Sequence, residues 1–240
     1  EMCIRDRYNT DDDSLSGAEA LIRWNSRKYG FIGPNTFIPL LEDSALIIPL
    51  GRWIINTAAK ACNRWITSIP DFVMHINLSF VQIVKSNIIK DVLERIGRYS
   101  AANNHYVFEI TETIEMDRIP AVERVFKEFI KNDFRLAIDD FGTGYSNYGY
   151  MRDKIFDIVK VDRSFITDID KQRNNYLMVS FIIKMAHEMG LHVCIEGVET
   201  KEELACVREL GADYIQGYYY GKPVCVADFE EQHLKKLILG

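Results

Sequence analysis

The sequence predicts a TIM-like (β/α)8 barrel, and three observations support this fold class. Apolar runs of strand length alternate along the chain with longer segments of helical period. No proline-rich or serine-rich linker and no low-complexity segment interrupts this alternation. The chain has 240 residues, of which 48% are hydrophobic, and this suits one large core. We therefore expect a single domain over 17–240, preceded by an atypical segment over 1–16 in which the first strand is incomplete or irregular.

Short apolar runs predict the buried strands of a parallel sheet, because each has the length of a strand and helical stretches lie between them. After a first run in GAEALIRW (17–24), they are FVMHINLS (72–79), YVFEIT (106–111), FRLAIDD (134–140), FDIVKVD (156–162), LHVCIE (191–196) and DYIQG (213–217).

Apolar residues that recur at helical spacing predict helices that pack on one side against the sheet. The two clearest stripes are Val122, Val125, Phe126, Phe129 and Ile130, and Met178, Phe181, Ile182, Met185 and Met189. Core packing is the ordinary role of such residues, so we expect both stripes to lie on the core.

Composition excludes several classes of function. The net charge of −6 argues against general binding of DNA or RNA, which needs a basic surface. The apolar stretch around ALIIPL (45–50) is far shorter than the roughly 20 residues of a membrane helix, so we expect no membrane span. The five cysteines are scattered without a CxxC pair, and we expect the chain to lack a secretory leader. These features favour reduced thiols in the cytoplasm.

Almost every predicted strand ends in a polar residue that could bind a cation or support one. These residues are Glu19, Asn77, Glu109, Glu112, Asp139, Asp140, Lys160, Asp162, Glu196, Glu199 and Gln216. The carboxyl ends of parallel strands in a barrel converge at one mouth, where active sites of this architecture lie. Carboxylates this close repel one another unless protons or cations offset their charge.

Oxygen ligands without a cysteine or histidine suit Mg²⁺ or Mn²⁺ rather than zinc. The adjacent pair Asp139 and Asp140 could bridge two such ions. Taken alone, each residue has a simpler interpretation: Asp140 could cap a following helix, and Gly142 and Gly144 could form only a turn. Repetition at the ends of successive strands favours the site, since independent surface charges have no reason to fall there.

Eight segments together resemble one known family. They are GAEALIRW, FIPLLED, INLS, EITET, IDDFGTGYS, VKVDRSFI, IEGVET and QGYYYGKP, and they cover residues from about 17 to 224. In order and approximate spacing they are similar to the motifs of the EAL domain, a bacterial phosphodiesterase that hydrolyses cyclic di-GMP.

The resemblance implies roles for individual residues. It implies metal ligands at Glu19, Asn77, Glu109, Asp139 and Asp140, with Asp139 bridging two Mg²⁺ or Mn²⁺ ions. It implies catalytic roles for Lys160, Glu196, Glu199 and Gln216, with Lys160 contacting the attacking water as a general base or as an electrostatic anchor. It implies substrate contacts at Leu21, Arg23 and Asp162, the last also near the second metal. Glu112 matches the glutamate that holds the loop after the DDFGTG strand.

The resemblance also implies the reaction, which is hydrolysis of cyclic di-GMP to linear pGpG without a covalent intermediate. Two ions can neutralise the phosphodiester and activate a water, which agrees with the carboxylates at the strand ends. One alternative is a receptor that binds cyclic di-GMP or a protein partner at the same mouth without catalysis. A barrel that acts on sugars fits poorly, because that chemistry needs only two carboxyl groups. The family also implies a homodimer, and any regulatory domain would lie outside these residues.

Some features depart from the family or stay outside the predicted site. Members usually begin with a YQPI-like strand near the bound guanine, whereas Glu1–Arg7 do not resemble it. We hypothesise that this heptapeptide is foreign to the domain, which would weaken one edge of the barrel and lower substrate affinity. His75 and His192 are expected to pack or form hydrogen bonds rather than bind metal. The aromatic run 218–220 could stack on a base or line the barrel rim.

Overall fold

A computed structural model describes residues 1–112, 119–144 and 153–234, and its centre is a closed barrel. Its strands are β1 (Met2–Asn9), β2 (Leu15–Ile22), β3 (Trp24–Ser26), β4 (Gly30–Ile32), β5 (Val73–Asn77), β6 (Tyr106–Thr111), β7 (Arg135–Phe141), β8 (Ile158–Val161), β9 (His192–Glu196), β10 (Tyr214–Gln216) and β11 (Val224–Cys225). The barrel order is β10-β9-β8-β7-β6-β5-β2-β1, and pairing of β10 with β1 closes the ring. The predicted (β/α)8 barrel is confirmed.

Helices surround the barrel and connect its strands. They are α1 (Pro34–Asp43), α2 (Ile47–Trp65), α3 (Phe80–Lys85), α4 (Ile88–Ile96), α5 (Pro120–Lys131), α6 (Arg173–Glu188), α7 (Lys201–Leu210) and α8 (Val226–Phe229), with a π-helical turn over Glu230–Leu234. Outside the barrel, β3 and β4 form a hairpin, and β11 pairs with β1. Over 1–112, 119–144 and 153–234, none of the helices combines the length and the apolar content needed to cross a membrane.

The first strand differs from the parallel arrangement expected of the barrel. β1 runs antiparallel to β2 and to β10. Only residues 10–14 connect β1 to β2, and a link this short allows a hairpin but not the crossover that parallel neighbours require. The predicted irregularity is confirmed as a shift of register between Arg7 and Tyr8. The strand is nevertheless paired with β2 along its length, so the barrel has no weakened edge there; the origin of Glu1–Arg7 stays a prediction.

The two predicted helical stripes have different outcomes. On α5, Phe126 and Phe129 are fully buried, as expected, although Ile130 is exposed. On α6, the prediction is wrong for Met178 and Phe181, which are 48% and 59% exposed. Ile182 of the predicted stripe is buried, and it packs on the barrel together with Val179, Ile183 and Ala186. This helix is apolar on two faces, so its spacing alone does not select the buried one.

Asp213 directly precedes β10 and contacts α6 and β9 at the end of the barrel opposite the mouth. Its carboxylate contacts His187 Nε2 at 2.9 Å and His192 Nδ1 at 3.1 Å, and accepts from the Val193 N–H at 2.7 Å. Burial alone would raise the pKa of Asp213, but hydrogen bonds from His192 and His187 lower it to about 2. The hydrogen bond to Asp213 in turn raises the pKa of His192.

We expect Asp213→Asn to destabilise the protein mainly at mildly acidic pH. The contribution of Asp213 is present above its unfolded pKa of about 4 and is lost as the pH falls toward the folded value. The contribution of His192 is complete below its unfolded pKa of about 6.5 and is lost as the pH rises through its raised folded pKa. The substitution should therefore lower the free energy of unfolding in urea by about 1–3 kcal/mol at pH values between these two unfolded pKa values. The decrease should be smaller at lower and at higher pH. An equal cost at pH 3, 5 and 9 would contradict this coupling.

Candidate metal and active site

Polar side chains predicted at the strand ends meet at one mouth of the barrel. Residues along each strand face inward and outward alternately, and the polar side chains that meet here occupy inward positions toward the carboxyl ends of the parallel strands. Glu19 lies on β2, Glu109 on β6, Asp139 on β7 and Lys160 on β8, and all four are buried. Glu196 and Gln216 end β9 and β10. The predicted convergence of these residues is confirmed.

Lys160 is the centre of the cluster. Its ammonium lies 2.6 Å from Glu196 Oε1, 2.7 Å from Glu109 Oε2 and 3.0 Å from Asp139 Oδ1, and its side chain is 0% exposed. Burial alone would lower the pKa of Lys160, but the surrounding carboxylates Asp139, Glu109, Glu19 and Glu196 raise it well above its usual value. Lys160 is therefore a charged group that offsets part of the acidic cluster.

Glu19 is oriented by two amides. The side-chain amide of Asn77 donates to Oε1 at 2.7 Å, and that of Gln216 donates to Oε2 at 2.6 Å. Arg5, the residue opposite Glu19 on β1, approaches Oε2 at 3.9 Å. With both oxygens held, the carboxylate has little freedom to rotate away from the mouth.

Two groups of carboxylates have the spacing of cation sites. Glu19, Glu109 and Asp139 each offer an oxygen within 4.8 Å of the others, and so do Asp139, Asp140 and Glu196. Asp139 belongs to both groups. These donors are all carboxylate oxygens, so they fit a hard ion such as Mg²⁺ or Mn²⁺, and the shared carboxylate fits a pair of ions.

The cluster holds more acidic groups than Lys160 can neutralise. Burial, together with Glu19, Asp139 and Glu196, raises the pKa of Glu109 despite the nearby Lys160. Burial also raises the pKa of Glu196 to about 8, and burial with Asp139 raises that of Asp140 to about 6. A divalent cation would offset this repulsion, which is the electrostatic reason to expect one here.

The turn after β7 is shaped by glycine and by Glu112. Gly142 has φ of 96°, and a Cβ there would lie 2.7 Å from the Phe165 ring, so only glycine fits. The Glu112 carboxylate accepts from the N–H groups of Gly142 at 2.7 Å and Gly144 at 3.2 Å. The turn thus connects directly to the carboxylate cluster through Asp140; the last two residues of the motif IDDFGTGYS, 145–146, lie outside the described residues.

We expect Glu112→Ala to lower the phosphodiester hydrolysis that the family resemblance implies, while leaving the fold intact. Without the carboxylate, the two N–H groups lose their acceptor and the turn that carries Asp140 loses its fixed position. Steady-state kinetics should give a fall in kcat of about 10-fold or more, as for a 1 Å misplacement of a site residue. Glu123→Ala on α5 is the control, and equal kcat values for the two variants would count against this role.

Four predicted residues contact other partners in the structure. Glu199 pairs with Arg163 at 2.9 Å. Arg23 donates to the Ile22 carbonyl at 2.9 Å, and the Asp162 carboxylate accepts from the Ser164 N–H at 2.9 Å. Leu21, on β2, pairs with Cys3 on β1. Their predicted roles with substrate and water stay predictions.

Sequence reasoning left two neighbours out of the site. His75 Nδ1 lies 2.5 Å from Glu109 Oε1, and Arg5 approaches Glu19. His75 was expected to pack or to form a hydrogen bond rather than to bind metal; it forms a hydrogen bond, and the partner, Glu109, was not predicted. The available signal was strand parity, because His75 and Asn77 are two residues apart on β5 and face the same side.

The protein is thus a closed (β/α)8 barrel whose mouth holds a buried lysine and two overlapping carboxylate groups that could bind divalent cations. The sequence profile of the EAL domain matches residues 7–223. The chain belongs to the EAL domain family.

Relatives and solved structures agree with this membership. The probable cyclic di-GMP phosphodiesterase PdeG of Escherichia coli is 31% identical over 97% of this chain and 45% of its own length. The cyclic di-GMP phosphodiesterase NbdA of Pseudomonas aeruginosa is 31% identical over 92% of this chain and 28% of its own length. The chain thus spans less than half of either relative.

Among solved structures, the EAL enzyme Bd1971 in its form bound to cAMP and cyclic di-GMP is 32% identical, with a TM-score of 0.92 over 97% of this chain and 64% of that one. The PaMucR phosphodiesterase in complex with cyclic di-GMP is 27% identical, with a TM-score of 0.90 over 95% of this chain and 93% of that one.

Proposed function

We propose that this chain is a metal-dependent phosphodiesterase that hydrolyses cyclic di-GMP to linear pGpG. The observation that carries the proposal is the pair of carboxylate groups that share Asp139 at the mouth of an EAL barrel. The substrate is supported by relatives named as cyclic di-GMP phosphodiesterases and by similar structures determined with cyclic di-GMP bound.

The proposed ligands are Glu19, Asn77, Glu109, Asp139 and Asp140, for two ions of Mg²⁺ or Mn²⁺. When bound, such ions supply neutralisation of the phosphodiester and a water of lowered pKa. Asn77 and Gln216 keep Glu19 oriented through their amide hydrogen bonds. This preorganisation avoids rearrangement of the carboxylate during the reaction.

We assign an electrostatic role to Lys160 and a proton-transfer role to Glu196. The raised pKa of Lys160 favours the role of an electrostatic anchor over that of a general base. Glu196 contacts Lys160 at 2.6 Å, and burial raises its pKa in the metal-free site, so its carboxylate is the better candidate to hold a proton. Glu199, Gln216, Leu21, Arg23 and Asp162 keep the supporting and substrate-contacting roles that the family resemblance implies.

Hydrolysis tests the proposal directly. The purified protein is incubated with cyclic di-GMP and Mg²⁺ or Mn²⁺, and the products are separated by chromatography. Formation of pGpG is expected, with loss of product in Glu19→Ala and in samples treated with EDTA. If the wild-type protein binds cyclic di-GMP but forms no product, the proposed enzyme activity is contradicted and the alternative of a non-catalytic receptor is favoured.

We infer a homodimer and a cytoplasmic setting for the domain. Leu177, Met178 and Phe181 form an exposed apolar face on α6, which a second copy could cover. The five free cysteines agree with a reducing compartment.

Phe181→Glu should shift the protein from dimer to monomer in sedimentation velocity, because it places a charge on the apolar face. Ile130→Glu, at an exposed apolar position on α5, is the control for an added negative charge away from this face. A dimer that persists unchanged in Phe181→Glu would exclude this face as the interface.

A further inference from the structure

His75 lies inside the barrel, directly against one carboxylate of the proposed metal site. The residue is 1% exposed, and its Nδ1 lies 2.5 Å from Glu109 Oε1. The other carboxylate oxygen, Oε2, contacts Lys160 at 2.7 Å. Each oxygen of Glu109 therefore has its own partner, and the two partners come from different strands, β5 and β8.

The chemistry of this contact fixes the direction of the hydrogen bond. Cation binding requires an ionised Glu109, and an ionised carboxylate can only accept, so in that state the proton lies on Nδ1 and the imidazole donates to Glu109. A buried carboxylate oxygen that lost this donor would have no water to replace it, and the carboxylate would turn toward another donor or take up a proton. Cation binding instead requires that the Glu109 carboxylate stay deprotonated and keep one orientation.

Arg7 packs beside the imidazole and limits the space around it. Arg7 is 2% exposed; its guanidinium carbon lies 4.4 Å from the centre of the Tyr214 ring, and its Nη1 lies 3.4 Å from His75 Nδ1. Below these groups is a layer of small and branched side chains that fills the barrel: Val73, Val107, Ala137, Ile158 and Cys194. Arg7 and this layer leave His75 little room to rotate, so the donor stays aimed at Glu109.

We propose that His75 is a positioning residue that holds Glu109 in the orientation needed to bind the cation. The inference rests on the proposed role of Glu109 as a metal ligand. Partners of this kind usually contribute 10-fold to 100-fold, roughly, to metal affinity or activity.

Two substitutions of His75 separate hydrogen bonding from packing. In His75→Asn, the amide nitrogen occupies nearly the position of Nδ1 and can still donate to Glu109. In His75→Leu, an apolar side chain of comparable volume replaces the donor. We expect Mn²⁺ binding, measured from the EPR signal of free Mn²⁺, to weaken about 10-fold to 100-fold in His75→Leu and to stay within about 3-fold of wild type in His75→Asn.

The readouts distinguish this inference from the proposed function. His187→Leu, on the exposed face of α6, is the matched control, and thermal unfolding checks that each variant is folded. Equal Mn²⁺ affinity for wild type and His75→Leu would overturn the positioning role alone. Absence of Mn²⁺ binding by the wild-type protein would overturn the proposed metal site and this inference together.

A measurement on the wild-type protein covers the case in which His75→Leu does not fold. The ¹⁵N shifts of His75 in the Mg²⁺-containing protein should identify the Nδ1-protonated tautomer. An imidazole protonated only on Nε2 would overturn the proposal, because that ring cannot donate to Glu109.

Discussion

Asp139→Asn is expected to reduce the hydrolysis of cyclic di-GMP by about 10³-fold or more, because this single carboxylate belongs to both proposed cation sites. The substitution preserves the size of the side chain but removes the charge shared by the two groups. An amide is also a poorer ligand than a carboxylate for a hard divalent ion. Binding of Mn²⁺ should weaken in parallel with kcat.

A matched change elsewhere tests whether charge alone explains the loss. Asp71→Asn removes the same charge from the exposed residue that precedes β5, at the opposite end of that strand from the mouth. It should leave kcat and Mn²⁺ binding close to those of wild type. Near-normal activity of Asp139→Asn would refute a shared ligand and require a different arrangement of the cations.

Lys160→Met is expected to have the largest effect on stability. The ammonium is fully buried and touches three carboxylates, so its removal leaves several negative charges facing one another without a partner. Removing one partner of a buried ion pair costs about 3–5 kcal/mol. The metal-free variant should therefore unfold at a markedly lower temperature than the metal-free wild-type protein.

Divalent cations should restore part of this loss. An ion bound among the carboxylates replaces positive charge that Lys160 supplied, and any ligand specific for the folded state raises its stability. The increase in Tm on addition of Mg²⁺ should be larger for Lys160→Met than for wild type, while hydrolysis stays impaired. An equal increase in the two proteins would mean that Lys160 and the cation do not act on the same charges.

The barrel could be predicted from the sequence because its strands are short apolar runs that end in polar residues. YVFEIT matches β6 in full, and FRLAIDD differs from β7 by one residue at each end. The orientation of β1 was not predicted, because it depends on the length of the connection to β2 rather than on the composition of the strand. The buried face of α6 was not predicted either, since Met178 and Val179 both begin apolar stripes of helical spacing.

The site could be predicted as far as strand parity and position determine it. Glu109 and Asp139 lie on inward positions near strand ends, and the structure brings them together. The hydrogen-bond and ion-pair partners of these side chains could not be predicted, because they depend on rotamers and on neighbours that are distant in sequence. The pairing of Glu199 with Arg163 and the contact between His75 and Glu109 are of this kind.

Closure of the ring by β1 and β10 links the order of folding to the appearance of the site. Tyr8 pairs with Ile215, and the Gln216 amide holds Glu19 at 2.6 Å across β1. Residues from the two ends of the described chain must therefore meet before Glu19 is fixed, and contacts of such large sequence separation are slow to form. During synthesis, Asn77 on β5 could already hold Oε1 of this carboxylate, but Oε2 would lack its amide donor until β10 had been added. The final orientation of Glu19 is in this sense a property of the closed ring.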